Sequence, residues 1–424
     1  MKKALVFIAF IILATGFAIV FLGNKPFADI AGENTAPAIV TTVLNDSLVN
    51  EDIAELEAMD RKFEAFMRKW QLKGASLSIM RNDSLLYCKG YGWADNNVPM
   101  EPGHILRVAS VSKLITAAGI MLLQDRGLLN IRDRVFGEDG ILSDSTYTAM
   151  ISDKRCYDIT VEHLLRHQGG FYRDPLFSSN DVRAQLKLDH CPTEMDFFNI
   201  TLRHRLRFAP GTSQRYSNVG YLFLSKIIEK VSGMPYEDFI CGQVLEPAGI
   251  FDMHIAGNYY ADKRPNEVRY YTHEGDGKFV REYNGNCRQV ERCYGGNNIP
   301  LLSGAGAWTA STAELARFVA SIDAMPGVPE IISQTAFEQM VEYRDSVTYS
   351  LGWNDTCPEK GWSRTGTLAG TSALIRYFPD GECWIFVSNT STWKGPGLAR
   401  YTNALFEECR NRYSDKLPKR NLFY

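Results

Sequence analysis

A hydroxyl and an amine stand three residues apart where an apolar run begins: Ser110 and Lys113 open a segment that continues to Arg126 and is closed by Gly127. On a helix, residues at that spacing share a face, so a neutral Lys113 would take the proton of Ser110 while the helix N-terminus favours the oxyanion formed on attack. The spacing predicts an acyl-transferring serine nucleophile. Composition alone yields a Ser-x-x-Lys tetrad about once or twice in a chain of this length, so its weight comes from company. Tyr216, Ser217 and Asn218 follow, and Arg364, Thr365, Gly366 and Thr367 come near the C-terminal end.

The order Ser-x-x-Lys, Tyr-Ser-Asn, Arg-Thr-Gly resembles the motif set of the serine β-lactamase-like superfamily, in its branch of class C β-lactamases, D,D-peptidases, D-aminopeptidases and related esterases. The resemblance spans residues 55–410 and includes longer blocks: ITVEHLLRHQGGF from Ile159, FAPGTSQRYSNVGY from Phe208, SGAGAWTASTAELARF from Ser303, YSLGW from Tyr349 and RTGTLAGTSALIRYFPDG from Arg364. It implies an acyl-serine route that needs no cofactor and no metal. Ser110 is then the nucleophile, Lys113 and Tyr216 share the general-base duty, and Asn218 binds Lys113 and the substrate amide. Thr365, Gly366 and Thr367 form the strand wall of the site, and the N–H groups of Ser110 and Thr367 make the oxyanion hole.

Arg364 departs from the lysine or histidine usual in the family. A guanidinium binds carboxylate bidentately, which predicts a substrate carboxylate on the leaving-group side; the competing reading is that Arg364 only lowers the pKa of Tyr216. Gln168 and Gly169 replace the usual Thr-Ser, in a loop expected at the cleft entrance, with Phe171 and Tyr172 either as an aromatic wall for an apolar acyl group or as core. His163 and His167, four apart, lack the intervening glutamate of a zinc helix and belong to the scaffold in the family. No Gly-x-Ser-x-Gly occurs, so a nucleophile elbow is unsupported.

The resemblance leaves the substrate open among a small peptide, an ester and a β-lactam. A peptidase or esterase acting on cell-envelope material stands first and a β-lactamase proper second. The rival from another class is a non-catalytic binding module for wall peptides or a protein, whose signature would be loss of Ser110, Lys113 or Tyr216.

The elements that must position these residues can be read in outline. A helix is expected from Asp52 to Trp70, with Ile53, Leu56, Met59, Phe63, Phe66 and Met67 on one face. Two hairpins are expected, one turning at Asn82 and Asp83, the other at Pro379, Asp380 and Gly381. The expected fold is α/β of the α+β type: an antiparallel sheet built from both chain ends and flanked by helices, beside a mainly α lobe over roughly residues 130–300.

Met1, Lys2 and Lys3 precede an apolar run from Ala4 to Leu22. It is longer than the roughly 7–15 residues of a signal h-region and near the roughly 20 that span a bilayer. Residues 1–23 therefore read as a membrane anchor, N-inside with the domain outside, or as a cleaved signal; both export the domain. Residues 24–50 read as a linker and 51–424 as the hydrolase domain. A net charge of −3 over 424 residues offers no basic field for nucleic acid. The nine cysteines are odd in number, and Cys287 with Cys293 is the pair expected to close a disulfide. Oligomeric state is not legible.

Overall fold

Four apolar residues of the first helix, Met59, Phe63, Phe66 and Met67, recur at helical spacing and are buried. In the computed structural model, which describes residues 43–44, 52–273, 279–345 and 347–423, a 3-10 turn at Ala54–Leu56 leads into α1 (Glu57–Trp70). The expected anchor or signal and most of the expected linker lie outside the described residues. Of the linker, Val43 and Leu44 are buried, with Leu44 bridging Phe423. Among the described residues no helix is long and apolar enough to cross a membrane.

After α1 the chain makes β1 (Gly74–Arg81), β2 (Ser84–Asp95) and β3 (Val98–Pro99). Its C-terminal part makes β4 (Trp362–Leu368), β5 (Thr371–Tyr377) and β6 (Glu382–Ser388). These form one six-stranded sheet in the order β4-β5-β6-β1-β2-β3. The two chain ends are joined by antiparallel pairing of β1 with β6, from Ala75 opposite Ser388 to Arg81 opposite Glu382. Asn82 and Asp83 both adopt positive φ, 47° and 59°, as the tight turn between two twisted strands requires.

One face of the sheet packs on α1 and the C-terminal helix Leu398–Tyr413 through Phe63, Leu77, Ile79, Phe386 and Phe406. Each such side chain contributes about 1.5–3 kcal/mol when fully buried. The other face carries the larger core, centred on α2 (Ser112–Asp125), whose residues from Ser112 to Leu123 are all buried. A helix apolar on every side belongs inside a domain. α2 packs against α3 (Asn218–Ser232) and the short helix Ile299–Gly306.

The expected α lobe is helical through Val161–Leu165, Ser179–Leu186, Glu194–Leu202, α3 and Tyr236–Ile240. Beyond Ala248 it differs from the expectation. His254–Ile255, Tyr271–Thr272, Phe279–Arg281 and Gln289–Glu291 are short strands, because this polar, glycine-bearing stretch lacks a continuous apolar face to bury as helix.

Candidate active site

Ser110 sits in a 3-10 turn, Ala109–Val111, that runs directly into α2. Ala109 before it has φ 48°, a left-handed conformation costly for a residue with a Cβ and held here by the surroundings. The Ser112 hydroxyl caps the turn by donating to the Ala109 carbonyl at 2.6 Å and accepts from Trp308 N at 3.1 Å. Lys113 is one turn on and fully buried. Its ammonium donates to Ser110 Oγ at 3.3 Å, to Asn218 Oδ1 at 2.7 Å and to the Ala305 carbonyl at 2.5 Å.

Tyr216 and Asn218 arrive at the start of α3, where Ser217 caps the helix by accepting from Gly220 N at 3.1 Å. The Tyr216 hydroxyl donates to Ser110 Oγ at 2.7 Å. On the opposite wall β4 runs past the nucleophile, brought close by Gly366. A Cβ there would lie 2.2 Å from the Val108 carbonyl oxygen and 3.2 Å from Ser110 N, so only glycine permits this approach. Ser110, Tyr216, Asn218, Thr365 and Thr367, with Asn354, Phe177, Tyr349 and Pro396, line a cavity of about 320 Å³. A neighbouring cavity of about 470 Å³ meets it at Phe177 and Thr367 and contains none of the nucleophile set.

The electrostatics follow from burial and sign. Desolvation drives the Lys113 amine below its ordinary range, helped by Arg364 and opposed by Tyr216. For Tyr216, burial alone would raise the phenol, but the cations of Lys113 and Arg364 and hydrogen bonds with Lys113 and Ser110 outweigh it, and its pKa is lowered. Both lowered groups touch Ser110 Oγ.

Six of the eight residues expected at the site meet around one cavity: Ser110, Tyr216, Asn218, Thr365 and Thr367 line it, and Lys113 lies directly behind. Gly366 and Arg364 do not line it. Gly366 acts through the close backbone contact just described. Arg364 is fully buried; its Nε donates to the Ser110 carbonyl at 2.7 Å and its Nη2 to the Tyr216 hydroxyl at 3.3 Å. Nε and Nη2 of the fork expected to grip a substrate carboxylate are engaged on the wall beside Ser110, and Nη1 is shut from solvent without a partner. The competing reading, a fixed charge acting on Tyr216, is the one this geometry supports.

The aromatic wall also differs. Phe171 is core, Tyr172 is exposed beside His204, and the aromatic ring from this region that lines the cavity is Phe177. His163 caps its own helix, with Nδ1 accepting from Thr160 N. His167 falls beyond that helix at φ 57° and stacks on Tyr216 with centroids 4.4 Å apart. Burial first, then Lys113 and Arg364, hold it well below the ordinary histidine range. Cys287 is exposed and Cys293 is buried against Gly370, and the structure does not join the two as the expected disulfide.

Sequence reasoning missed three contributors. Asp174, half-buried, accepts from Asn218 N, and desolvation raises its pKa. Ala305 offers only a carbonyl. Asn354 accepts from Thr365 N at 2.7 Å and from its hydroxyl at 3.1 Å. Of these Ala305 lies inside the block from Ser303 and Asn354 directly follows the Tyr349–Trp353 block, whereas Asp174 had no signal.

A serine hydroxyl held between a lysine and a tyrosine, beside the edge of an antiparallel sheet, defines the class of serine hydrolases acting without a histidine triad. A family model described as Beta-lactamase matches residues 59–407, and the chain belongs to that family and is a serine hydrolase. It is 27% identical over 341 residues to penicillin-binding protein 4* of Bacillus subtilis, covering 77% of this chain and 70% of that protein. It is 26% identical over 279 residues to esterase EstB of Burkholderia gladioli, covering 62% and 64%. Its fold is similar to D-amino acid amidase from Ochrobactrum anthropi SV3 complexed with D-phenylalanine, with a TM-score of 0.65, 18% identity and coverage of 86% and 100%.

Proposed function

We propose that this chain is an exported serine hydrolase that acts through an acyl-serine intermediate on an amide or ester, of the kind found in cell-envelope peptides. The observation that carries the reading is the position of Ser110 Oγ, 2.7 Å from the Tyr216 hydroxyl and 3.3 Å from the Lys113 amine. In acylation the Ser110 proton passes to the Tyr216–Lys113 pair as Oγ attacks the carbonyl carbon. The N–H groups of Ser110 and Thr367 hold the oxyanion, and the pair returns the proton to the departing amine or alcohol. Water repeats the sequence on the acyl-enzyme, releasing the acid and restoring Ser110. Asn218 holds the Lys113 amine and faces the acyl-side amide.

Support for a peptide-like substrate comes from a cavity that mixes amide and hydroxyl groups (Asn218, Asn354, Thr365, Thr367) with Phe177 and Tyr349. The kinship with a penicillin-binding protein and an esterase supports the same reading. Export rests on the apolar run from Ala4 to Leu22 after two lysines, with anchoring N-inside as the reading and cleavage as its alternative.

The test is a panel of D-amino-acid peptides, p-nitrophenyl esters and nitrocefin against the native protein and Ser110→Ala, with intact mass after fluorophosphonate or labelled penicillin. The expectation is one adduct on Ser110, and loss of about 10⁴-fold or more in turnover for Ser110→Ala. Turnover that survives that substitution overturns the assignment. Absence of any adduct or turnover in the native protein favours the binding module. Fractionation and N-terminal sequencing of the mature chain check export: recovery in the cytoplasm would reject it.

A further inference from the structure

Outside the catalytic pocket, three carboxylates converge from two distant stretches of sequence. Asp83 is in the β1–β2 turn, and Asp323 and Glu330 bound the loop that follows the helix Thr312–Ala320. One oxygen from each lies within 4.8 Å of the other two. Asp83 and Asp323 are 1% and 4% exposed, while Glu330 opens the cluster to solvent. The loop is shaped around Asp83: Gly327 N donates to Asp83 Oδ2 at 2.9 Å, and a Cβ on Gly327 would fall 2.0 Å from the Asp83 side chain. Met325 N donates to Asp323 Oδ1 at 3.1 Å.

The remaining oxygens of the buried pair, Asp83 Oδ1 and Asp323 Oδ2, are shut from water and receive no donor; the two carboxyls lie within hydrogen-bonding reach of each other, and Asp323 within reach of the Tyr377 hydroxyl. Two facing acceptors in a dry site cannot both stay bare and charged; something positive must lie between them. The groups acting on the three acids are burial, the amides of Ala324, Met325 and Gly327, the Tyr377 hydroxyl, and one another. The Cys383 thiol, itself raised by burial and by these acids, packs nearby.

We propose that Asp83, Asp323 and Glu330 bind a hard divalent cation of calcium size, which ties the β1–β2 turn to the 323–330 loop. Three carboxylates suit an oxygen-preferring dication, and a shell of carboxylates, loop carbonyls and water in irregular geometry suits calcium better than magnesium, which demands a near-ideal octahedron and keeps several of its waters. Loop carbonyls and water complete the shell. The site is structural, with no part in the Ser110 chemistry.

The experiment is thermal unfolding of the intact chain at pH 7.5, stripped with EDTA and titrated with calcium chloride or magnesium chloride, beside equilibrium dialysis with calcium. Calcium is expected to raise Tm by about 2–5 °C at concentrations near 100 times Kd, and magnesium by less. Glu330→Gln, at an exposed position, should fold normally and weaken calcium about tenfold or more; Asp323→Asn should remove the response. Labelling of Ser110 should proceed at the same rate in all forms. The proposal is overturned if millimolar calcium neither binds nor moves Tm in the native protein, which would leave a shared proton between Asp83 and Asp323 as the occupant. It is equally overturned if both variants respond to calcium as the native protein does.

Discussion

Around Ser110 the buried charges alternate in sign, Lys113 and Arg364 against Tyr216 and Asp174, whereas around Asp83 they are all carboxyls. Both places combine buried groups with one open side, the cavity in the first and Glu330 in the second, and the outcomes are opposite. In the first, burial lowers the amine and the neighbouring cations lower the phenol, so both groups are moved towards neutral pH. In the second, burial and repulsion push Asp323 up to about 8 and Glu330 up to about 7. Desolvation alone therefore does not make a base for neutral pH; alternation of sign does. An uncompensated cluster instead waits for a proton or a cation from outside.

The sharpest way to break the alternation is to remove one of its members. Lys113→Ala and Tyr216→Phe should each cost about 10³-fold or more in kcat/KM on a p-nitrophenyl ester. Because both serve one shared proton, the double variant should be no more than about tenfold worse than the poorer single. Losses that multiply would show two independent roles and refute the shared proton.

Arg364→Gln tests the fixed charge and should cost less, about 10–100-fold at neutral pH. Its charge holds both Lys113 and Tyr216 down, so removing it raises both, and the acidic limb of kcat/KM should move to higher pH. The loss should be equal on neutral esters and on substrates bearing a carboxylate. A loss confined to the latter would restore the carboxylate-binding role that the buried position argues against. Gly366→Ala should lower both activity and stability, since the Val108 carbonyl at 2.2 Å from the new Cβ must move and takes the Ser110 turn with it; unchanged kinetics would show that β4 can retreat freely.

What the sequence displays of this pocket is what short motifs can carry. Ser110, Lys113, Tyr216 and Asn218 have side chains whose chemistry requires them, at spacings set by a helix start, and they meet as expected. The type of Arg364 was informative and its direction was not, because which way a strand faces depends on register. Ala305 acts through a carbonyl, which every residue has, and Asp174 reaches the site from a loop whose course depends on the packing of the helical lobe. The hairpin at Asn82 and Asp83 was legible from turn chemistry, but that Asp83 would face Asp323 was not, since nothing local links residues so far apart. The stretch beyond Ala248 misled because loops and two-residue strands leave no period to read.

The smallest effect expected is on the stability curve, where the two regions tilt it in opposite directions. A carboxyl with a raised folded pKa stabilises the folded state below its unfolded value and loses that contribution as pH climbs through the folded value. For Asp323, at about 8, the window runs from roughly 4 to 8. Without divalent cation, Tm of the native protein should fall by a few degrees across pH 5 to 8, while Asp323→Asn, which carries a permanent neutral amide, should stay flatter. Calcium should flatten the native curve in the same way, because a dication replaces the lost proton. Lys113 has the other sign: its lowered pKa favours the folded state above the ordinary lysine value and loses that advantage as pH falls through the folded value. Lys113→Met should therefore flatten the rise of Tm towards alkaline pH, where Asp323→Asn changes little. Parallel curves for the two variants would mean that sign alternation does not separate these regions.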